Sequence, residues 1–223
     1  MAEPLVVTSL TAEAAGAELA PILHATGIPA EMDWIDYLAA QGYVFISASN
    51  NLGNFELGET GADNQDIDPL EPSYMFDVPT GITVIPLWAN VAFEVVTGTD
   101  TILAIVSCEN EAYSSGGTAA LAVQNARTDA PRTSGVKNIY AVGESSGDIT
   151  AATLTAPRTL WMWSSPTSAA GGDPFIVEWR PAVHSYLVGP ASFLFYCHAI
   201  GTEASFRATF SWAEVPSAII TKP

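Results

Sequence analysis

Residues 206–212 read FRATFSW, and large apolar residues alternate with polar ones along this stretch. The apolar members stand at every second position and are Phe206, Ala208, Phe210 and Trp212. Because successive side chains of a β-strand point to opposite faces, the pattern predicts a strand with one buried face. The same alternation recurs in Phe193–His198 and in Phe175–Arg180, so the last third of the chain is predicted to be β-sheet.

A period of two extends back to Tyr43, with turn residues between the runs. Between Ile85 and Val95 the odd positions are apolar, which predicts that they line one face of a long strand. Further predicted strands are Tyr43–Ser49, Ser73–Val78, Thr101–Cys108, Asn138–Val142, Thr150–Thr155 and Thr159–Trp163. The last three of these runs are weaker, so eight or nine strands are expected. Without interleaved helical patterns, they favour an all-β, antiparallel β-sandwich, and a jelly-roll (Greek-key) arrangement fits best.

The first part of the chain has a different pattern and predicts a short helical N-terminal arm. One helix is expected to begin at Pro29 and to end at Gly42, with Met32, Ile35, Leu38 and Ala39 on one face. That face is expected to pack either on the chain's own sandwich or on a neighbouring subunit. Two parts are therefore predicted: an arm over residues 1–42 and a jelly-roll domain over residues 43–223.

Charge is distributed unevenly in this acidic protein, whose formal net charge is −17. Residues 1–126 contain 17 acidic residues and no Lys or Arg, whereas residues 127–223 contain seven of each sign. A basic arm that binds nucleic acid directly is therefore excluded, because phosphates need clustered Lys and Arg. Solubility or a salty environment is one interpretation of the acidity, and a cation or a basic partner is the other.

The sequence indicates neither a secretory signal peptide nor a membrane-spanning helix. The chain opens with Met1-Ala2-Glu3-Pro4, which is no signal peptide. Its longest uncharged stretch, Pro181–Thr202, contains a turn signal at Gly189-Pro190 and is better explained by two strands than by one spanning helix.

An acidic loop supplies the candidate metal ligands. Carboxylates are concentrated at Asp63, Asp66, Asp68 and Glu71. Because Ca²⁺ takes six to eight oxygen ligands from flexible loops, this composition suits Ca²⁺, although the spacing is not that of an EF-hand. No cofactor is expected to be required. The loop is expected either to bind Ca²⁺ or to be an acidic loop that is simply solvated.

Catalytic motifs are weak, and the protein is predicted not to be an enzyme. Gly143–Gly147 matches the G-x-S-x-G of carboxylesterases around Ser145, but a strand rather than the required helix is predicted to follow. Cys108 and Cys197 are predicted to be buried thiols, with a single disulfide between them left open. Trp161, Trp163, Trp179 and Tyr186 are expected either to pack or to form an aromatic platform for sugars.

The order of parts resembles that of single jelly-roll viral capsid and virion structural proteins. The likeness lies in the arm, in about eight strands with long loops, and in the closing strands Phe193–Ala199 and Phe206–Pro216. It implies a virion-shell subunit, located in the virion, that assembles with itself into trimers, pentamers or a shell and contacts other virion proteins. A mean hydropathy of +0.24 with 14% charged residues independently predicts apolar surface buried between subunits. The alternative is a carbohydrate-binding or adhesive jelly-roll module.

Overall fold

The computed structural model describes most of the predicted domain and the end of the arm. The described residues are 33–49, 56–57, 59–61, 67–93, 102–109, 113–115, 119–120, 122–129, 132–141, 150–151, 157–164, 175–200 and 205–219.

One helix precedes a long series of strands. In chain order the elements are α1 (Trp34–Ala40), β1 (Val44–Ala48), β2 (Glu56–Leu57), β3 (Glu59–Gly61), β4 (Tyr74–Val78), β5 (Ile82–Phe93), β6 (Ile102–Glu109), β7 (Tyr113–Ser115), β8 (Ala119–Ala120), β9 (Val123–Asn125), β10 (Lys137–Ala141), β11 (Thr150–Ala151), β12 (Arg158–Ser164), β13 (Phe175–Trp179), β14 (Leu187–Val188), β15 (Ala191–Ile200), β16 (Ser205–Pro216) and a 3₁₀ turn (Ser217–Ile219).

The strands form two main sheets, so the predicted all-β class is confirmed. Sheet 1 has the order β13-β5-β16-β1-β9, with β14 also paired to β5 and β2 to β16. Sheet 2 has the order β12-β6-β15-β4-β10-β8, with β3 paired to β15. The pairings are antiparallel except that of β3 with β15, which is parallel. A separate pair joins β7 to β11.

Aromatic side chains fill the space between the sheets. Tyr74 and Phe76 from sheet 2 meet Phe210 and Trp212 from sheet 1, with ring centroids 4.4 Å apart for Tyr74–Phe210 and 4.7 Å for Phe76–Trp212. These four side chains are at most 1% exposed. Each buried aromatic ring contributes about 1.5–3 kcal/mol to the free energy of folding by leaving water. The packing of these rings therefore helps to hold the two sheets together.

Alternation is confirmed in β13, β15 and β16 but is wrong along part of β5. Ala89, Val91 and Phe93 face the core, whereas Ile85 and Leu87 face outward beneath α1. The pairing with β16 shifts register between Ser211 and Trp212, opposite this point. An irregularity of this kind exchanges the two faces of a strand, and a pattern of odd positions cannot reveal it. Val95 lies outside the described residues.

Helix α1 packs on the outer face of sheet 1 in its own chain. Asp33 caps it, because its carboxylate accepts a hydrogen bond of 2.8 Å from the Ile35 amide. The helix is followed by Gly42, whose φ of +75° favours glycine. Leu38 is buried against Leu87 and Val215 among other outward residues of sheet 1. The arm before residue 33 lies outside the described residues, as does Met32.

Residues 122–129 and 132–141, called here the insertion, cover one edge of the sandwich. Strand β9 extends sheet 1 beyond β1, and β10 extends sheet 2 beyond β4. We call this side the covered edge. Here Asn125 donates a hydrogen bond of 2.8 Å to the Gly42 carbonyl, and the Arg127 Nη1 donates one of 2.7 Å to the Ala40 carbonyl. Both bonds attach the insertion to the end of α1.

A buried carboxylate attaches the end of the insertion to sheet 1. Glu214 on β16 is 7% exposed and accepts hydrogen bonds from the Ser134 hydroxyl, from the Gly135 amide at 2.7 Å and from the Trp212 Nε1 at 2.8 Å. Nearby, the guanidinium carbon of Arg132 lies 3.9 Å from the centre of the Tyr43 ring. The covered edge is thus held by polar contacts as well as by strand pairing.

Candidate assembly surface

The opposite side of the sandwich lacks such a cover among the described residues. There β12 pairs only with β6, and β13 pairs only with β5. After β13 the chain continues through residues 180–186 to the short strand β14, which pairs with another part of the same strand β5. We call the surface formed by β12, β13, residues 180–186 and β14 the open edge. An unpaired strand edge presents amide and carbonyl groups that can pair with another chain.

Aromatic rings join the two strands of the open edge across the core. Trp161 on β12 stacks on Trp179 of β13 with ring centroids 6.3 Å apart. Trp163 and Phe175 form a second such contact at 5.4 Å. Since each contact joins one sheet to the other, ring packing rather than backbone pairing closes the core at this edge.

Large apolar side chains are exposed along the open edge. Those that are exposed in the described part of the chain are Met162, Ile176, Val183, Tyr186 and Val188. Their exposures lie between 51% and 84%. All five belong to β12, β13, β14 or the segment between the last two. They are spread along the edge, because Ile176 and Val188 pair with Ala92 and Thr83, which stand nine residues, or about 30 Å, apart on β5. Exposed apolar residues of this size beside an unpaired strand edge favour contact with another chain.

The alternation within β13 contains the signal for this surface. Val177 and Trp179 are buried, so the residues between and before them point away from the core. One of these outward positions holds Ile176 rather than a polar residue. The sequence pattern predicted the alternation, but the exposure of Ile176 was not predicted from it.

Charges on the open edge nearly balance. Glu178 and Arg180 form an ion pair at 2.8 Å on the outward side of β13, with 49% of the Glu178 side chain and 73% of the Arg180 side chain exposed. Arg158 is exposed at the start of β12. These three are the charged side chains among the described residues of the open edge. Their near-balance of charge contrasts with the net charge of −17 for the whole chain.

The segment between β13 and β14 is anchored to α1. The ring of His184 meets that of Trp34 edge to face at 4.9 Å, and its Nδ1 lies 3.3 Å from the Pro86 carbonyl oxygen. A cavity of about 320 Å³ adjoins the segment and is lined by Arg158, Leu160 and Tyr186, among others. The exposed Val183 and Tyr186 are therefore carried on a segment with defined contacts.

The predicted calcium loop is only partly described. Asp63 and Asp66 lie outside the described residues. Asp68 accepts a hydrogen bond of 2.8 Å from the Leu70 amide, and its carbonyl accepts one of 3.1 Å from the Glu71 amide. This pattern is that of a turn stabilised by its aspartate. No cluster of three or more His, Cys, Asp or Glu side chains suited to a metal occurs in the part of the chain that the structure describes.

The other candidate residues are placed as follows. Ser145 and its glycines, and His24, lie outside the described residues. Cys108 and Cys197 are buried and form no disulfide. Cys108 pairs with Phe193, four residues along β15 from Cys197, which separates the thiols by about 13 Å and excludes a bridge. Burial raises the pKa of the Cys197 thiol, so it remains protonated.

The predicted aromatic platform is not assembled as a single exposed face. Trp179 is buried, and Trp161 and Trp163 pack against the core. Tyr186 is the member with an exposed ring. His184 and His198 also differ in surroundings, because His198 is fully buried on β15 whereas His184 contacts α1.

Comparison of the chain with known proteins found no relative. No family model, curated protein or solved structure matches the chain. Within the described residues, no helix is long and apolar enough to cross a membrane.

Proposed function

We propose that the sandwich is a jelly roll. Its eight principal strands divide into β13-β5-β16-β1 and β12-β6-β15-β4, which supports this topology. Successive principal strands alternate between the sheets except at β6 and β12, which are neighbours in sheet 2. The first and last principal strands, β1 and β16, lie side by side, as a Greek-key path requires.

We further propose that the protein is a virus structural protein, a capsid or virion-shell subunit that assembles with itself. A fold by itself does not specify function, so the proposal depends on the surface. The observation that carries it is the open edge, where apolar side chains are exposed over a nearly neutral region of a strongly acidic chain. Trimers, pentamers or a closed shell would bury this surface, with other virion proteins as further partners.

Light scattering coupled to size-exclusion chromatography tests this function, with Ca²⁺ or a chelator in the buffer and negative-stain imaging of any large species. We expect oligomers or shells whose proportion rises with protein concentration. A lowered assembly in chelator would assign the Asp63–Glu71 loop to a subunit joint. A monomer in every condition would overturn the proposal and favour a monomeric binding module.

A further inference from the structure

We propose that the open edge binds the open edge of a second copy of this chain across a two-fold axis. The inference rests on the proposed function, because it names the surface through which the subunits associate. It commits to a contact in which both copies use the same residues. Such a contact must be complementary to itself.

The apolar part of the surface meets this requirement directly. Ile176 and Val188 are exposed on sheet 1, and Val183 lies on the segment that links their strands. These residues lie at separate points along the edge, and each can pack on apolar groups of a second copy, since burial of apolar area is favourable without a particular partner geometry.

The charged part is also complementary to itself. Glu178 and Arg180 stand two positions apart on the outward side of an edge strand. When two such strands run antiparallel around a two-fold axis, each glutamate can lie opposite the arginine of the other copy. Opposite charges across strands stabilise the pairing, and like charges destabilise it.

The overall charge favours a second copy over a strongly charged partner. A basic partner is attracted to the 17 acidic residues of the first 126 positions, not to an edge with two arginines and one glutamate. A strongly anionic partner that offers no apolar surface has nothing to offset its repulsion by the net charge of −17. Two copies repel each other as well, but salt screens that repulsion over about 8 Å at physiological ionic strength, while the apolar contact remains.

Charge reversal provides the decisive test, with sedimentation velocity as the measurement. Glu178→Arg leaves only positive charges at this position in both copies, and Arg180→Glu leaves only negative ones. We expect each variant to weaken self-association by about ten-fold. Mixing the two variants in equal amounts should restore association, because each then meets the opposite charge on its partner.

A matched control lies on the covered edge. Arg127 and Asp129 form an equally exposed ion pair, also two residues apart. Asp129→Arg should leave self-association unchanged. As a second variant, Ile176→Arg should weaken association without lowering the melting temperature, because its side chain is outside the core.

The outcomes separate this inference from the proposed function. If the unmodified protein assembles while both reversals and Ile176→Arg leave assembly intact, the open edge is not the interface and the shell function stands. If the reversals weaken assembly but the mixture does not restore it, the two-fold contact is wrong. If the unmodified protein is a monomer at all concentrations and salts, both proposals fail. Association that tightens as salt rises supports the apolar contact between like-charged copies.

Discussion

The two edges of the sandwich are protected in different ways. At the covered edge, β9 and β10 pair with the outermost principal strands, and side chains such as Asn125 and Glu214 bind the backbone of neighbouring segments. At the open edge, stacked rings close the core, and no further strand is paired to β12 or β13 in the described residues. The backbone groups of an unpaired edge strand can pair with another chain. The two edges therefore differ in whether their outer strands are already paired within the chain.

The largest effect is expected from removing a ring of the open edge. Trp179→Ala deletes a buried ring that stacks on Trp161, and it should lower the free energy of unfolding by about 4 kcal/mol. Chemical denaturation measures the change. Trp179→Phe keeps an aromatic ring and should lose less than half as much. A loss near zero for the alanine variant would show that ring packing does not close this edge.

A smaller loss is expected where the covered edge depends on a buried acceptor. Glu214→Gln replaces one carboxylate oxygen with an amide that faces a donor, so a hydrogen bond to Ser134, Gly135 or Trp212 is lost. The expected cost is about 2 kcal/mol, or a melting temperature lower by about 6 °C. The same substitution at the exposed Glu178 is the control. Equal melting temperatures for the two variants would contradict the role of Glu214.

Asn125 should contribute less than Glu214 to the same edge. Its amide donates to the carbonyls of Gly42 and Arg132, and its oxygen accepts from the Arg127 amide. Asn125→Ala should lower the free energy of unfolding by about 1 kcal/mol. The exposed neighbour Gln124 provides the control, and its alanine variant should unfold like the unmodified protein. Equal losses in the two variants would deny Asn125 this role.

The smallest effect concerns the exposed pair on the covered edge. A hydrogen bond and the charge of Arg127 lower the pKa of Asp129 below its ordinary value of 3.8. Any stability from this pair is therefore present above the ordinary pKa and is lost as the pH falls through the lowered value. Asp129→Ala should shift the melting temperature by no more than about 1 °C at pH 7, since exposed ion pairs are weak. A clear shift that persisted after the pH had fallen below the lowered pKa of Asp129 would exclude the ion pair as its cause.

The sequence predicted what depends on neighbouring residues. Alternation located β13, β15 and β16, and it identified Phe210 and Trp212 as core residues, because a period of two is a local property of strands. It failed along β5, where the register shift turns Ile85 and Leu87 away from the core. A shift of this kind depends on the partner strand, which lies far away in the sequence.

Long-range pairing also explains what was missed at the two edges. The predicted strand Asn138–Val142 overlaps β10, but nothing local indicates that β10 pairs with β4 or that β9 pairs with β1, so the cover itself was not predicted. The open edge could have been inferred in part from Ile176, an apolar residue at an outward position of β13. The candidate calcium ligands remain a prediction from composition, with Asp68 and Glu71 in a described turn and Asp63 and Asp66 outside the described residues.

The central strand of each sheet is among the last to be synthesised. Strand β16 lies between β5 and β1, and β15 lies between β6 and β4, so sheet 2 lacks its middle strand until residue 200 has been synthesised and sheet 1 until residue 216. Pairings between strands so distant along the chain are intrinsically slow to form. A nascent chain therefore cannot form the complete sandwich behind the open edge before residue 216 has been synthesised, which delays association through that edge until then.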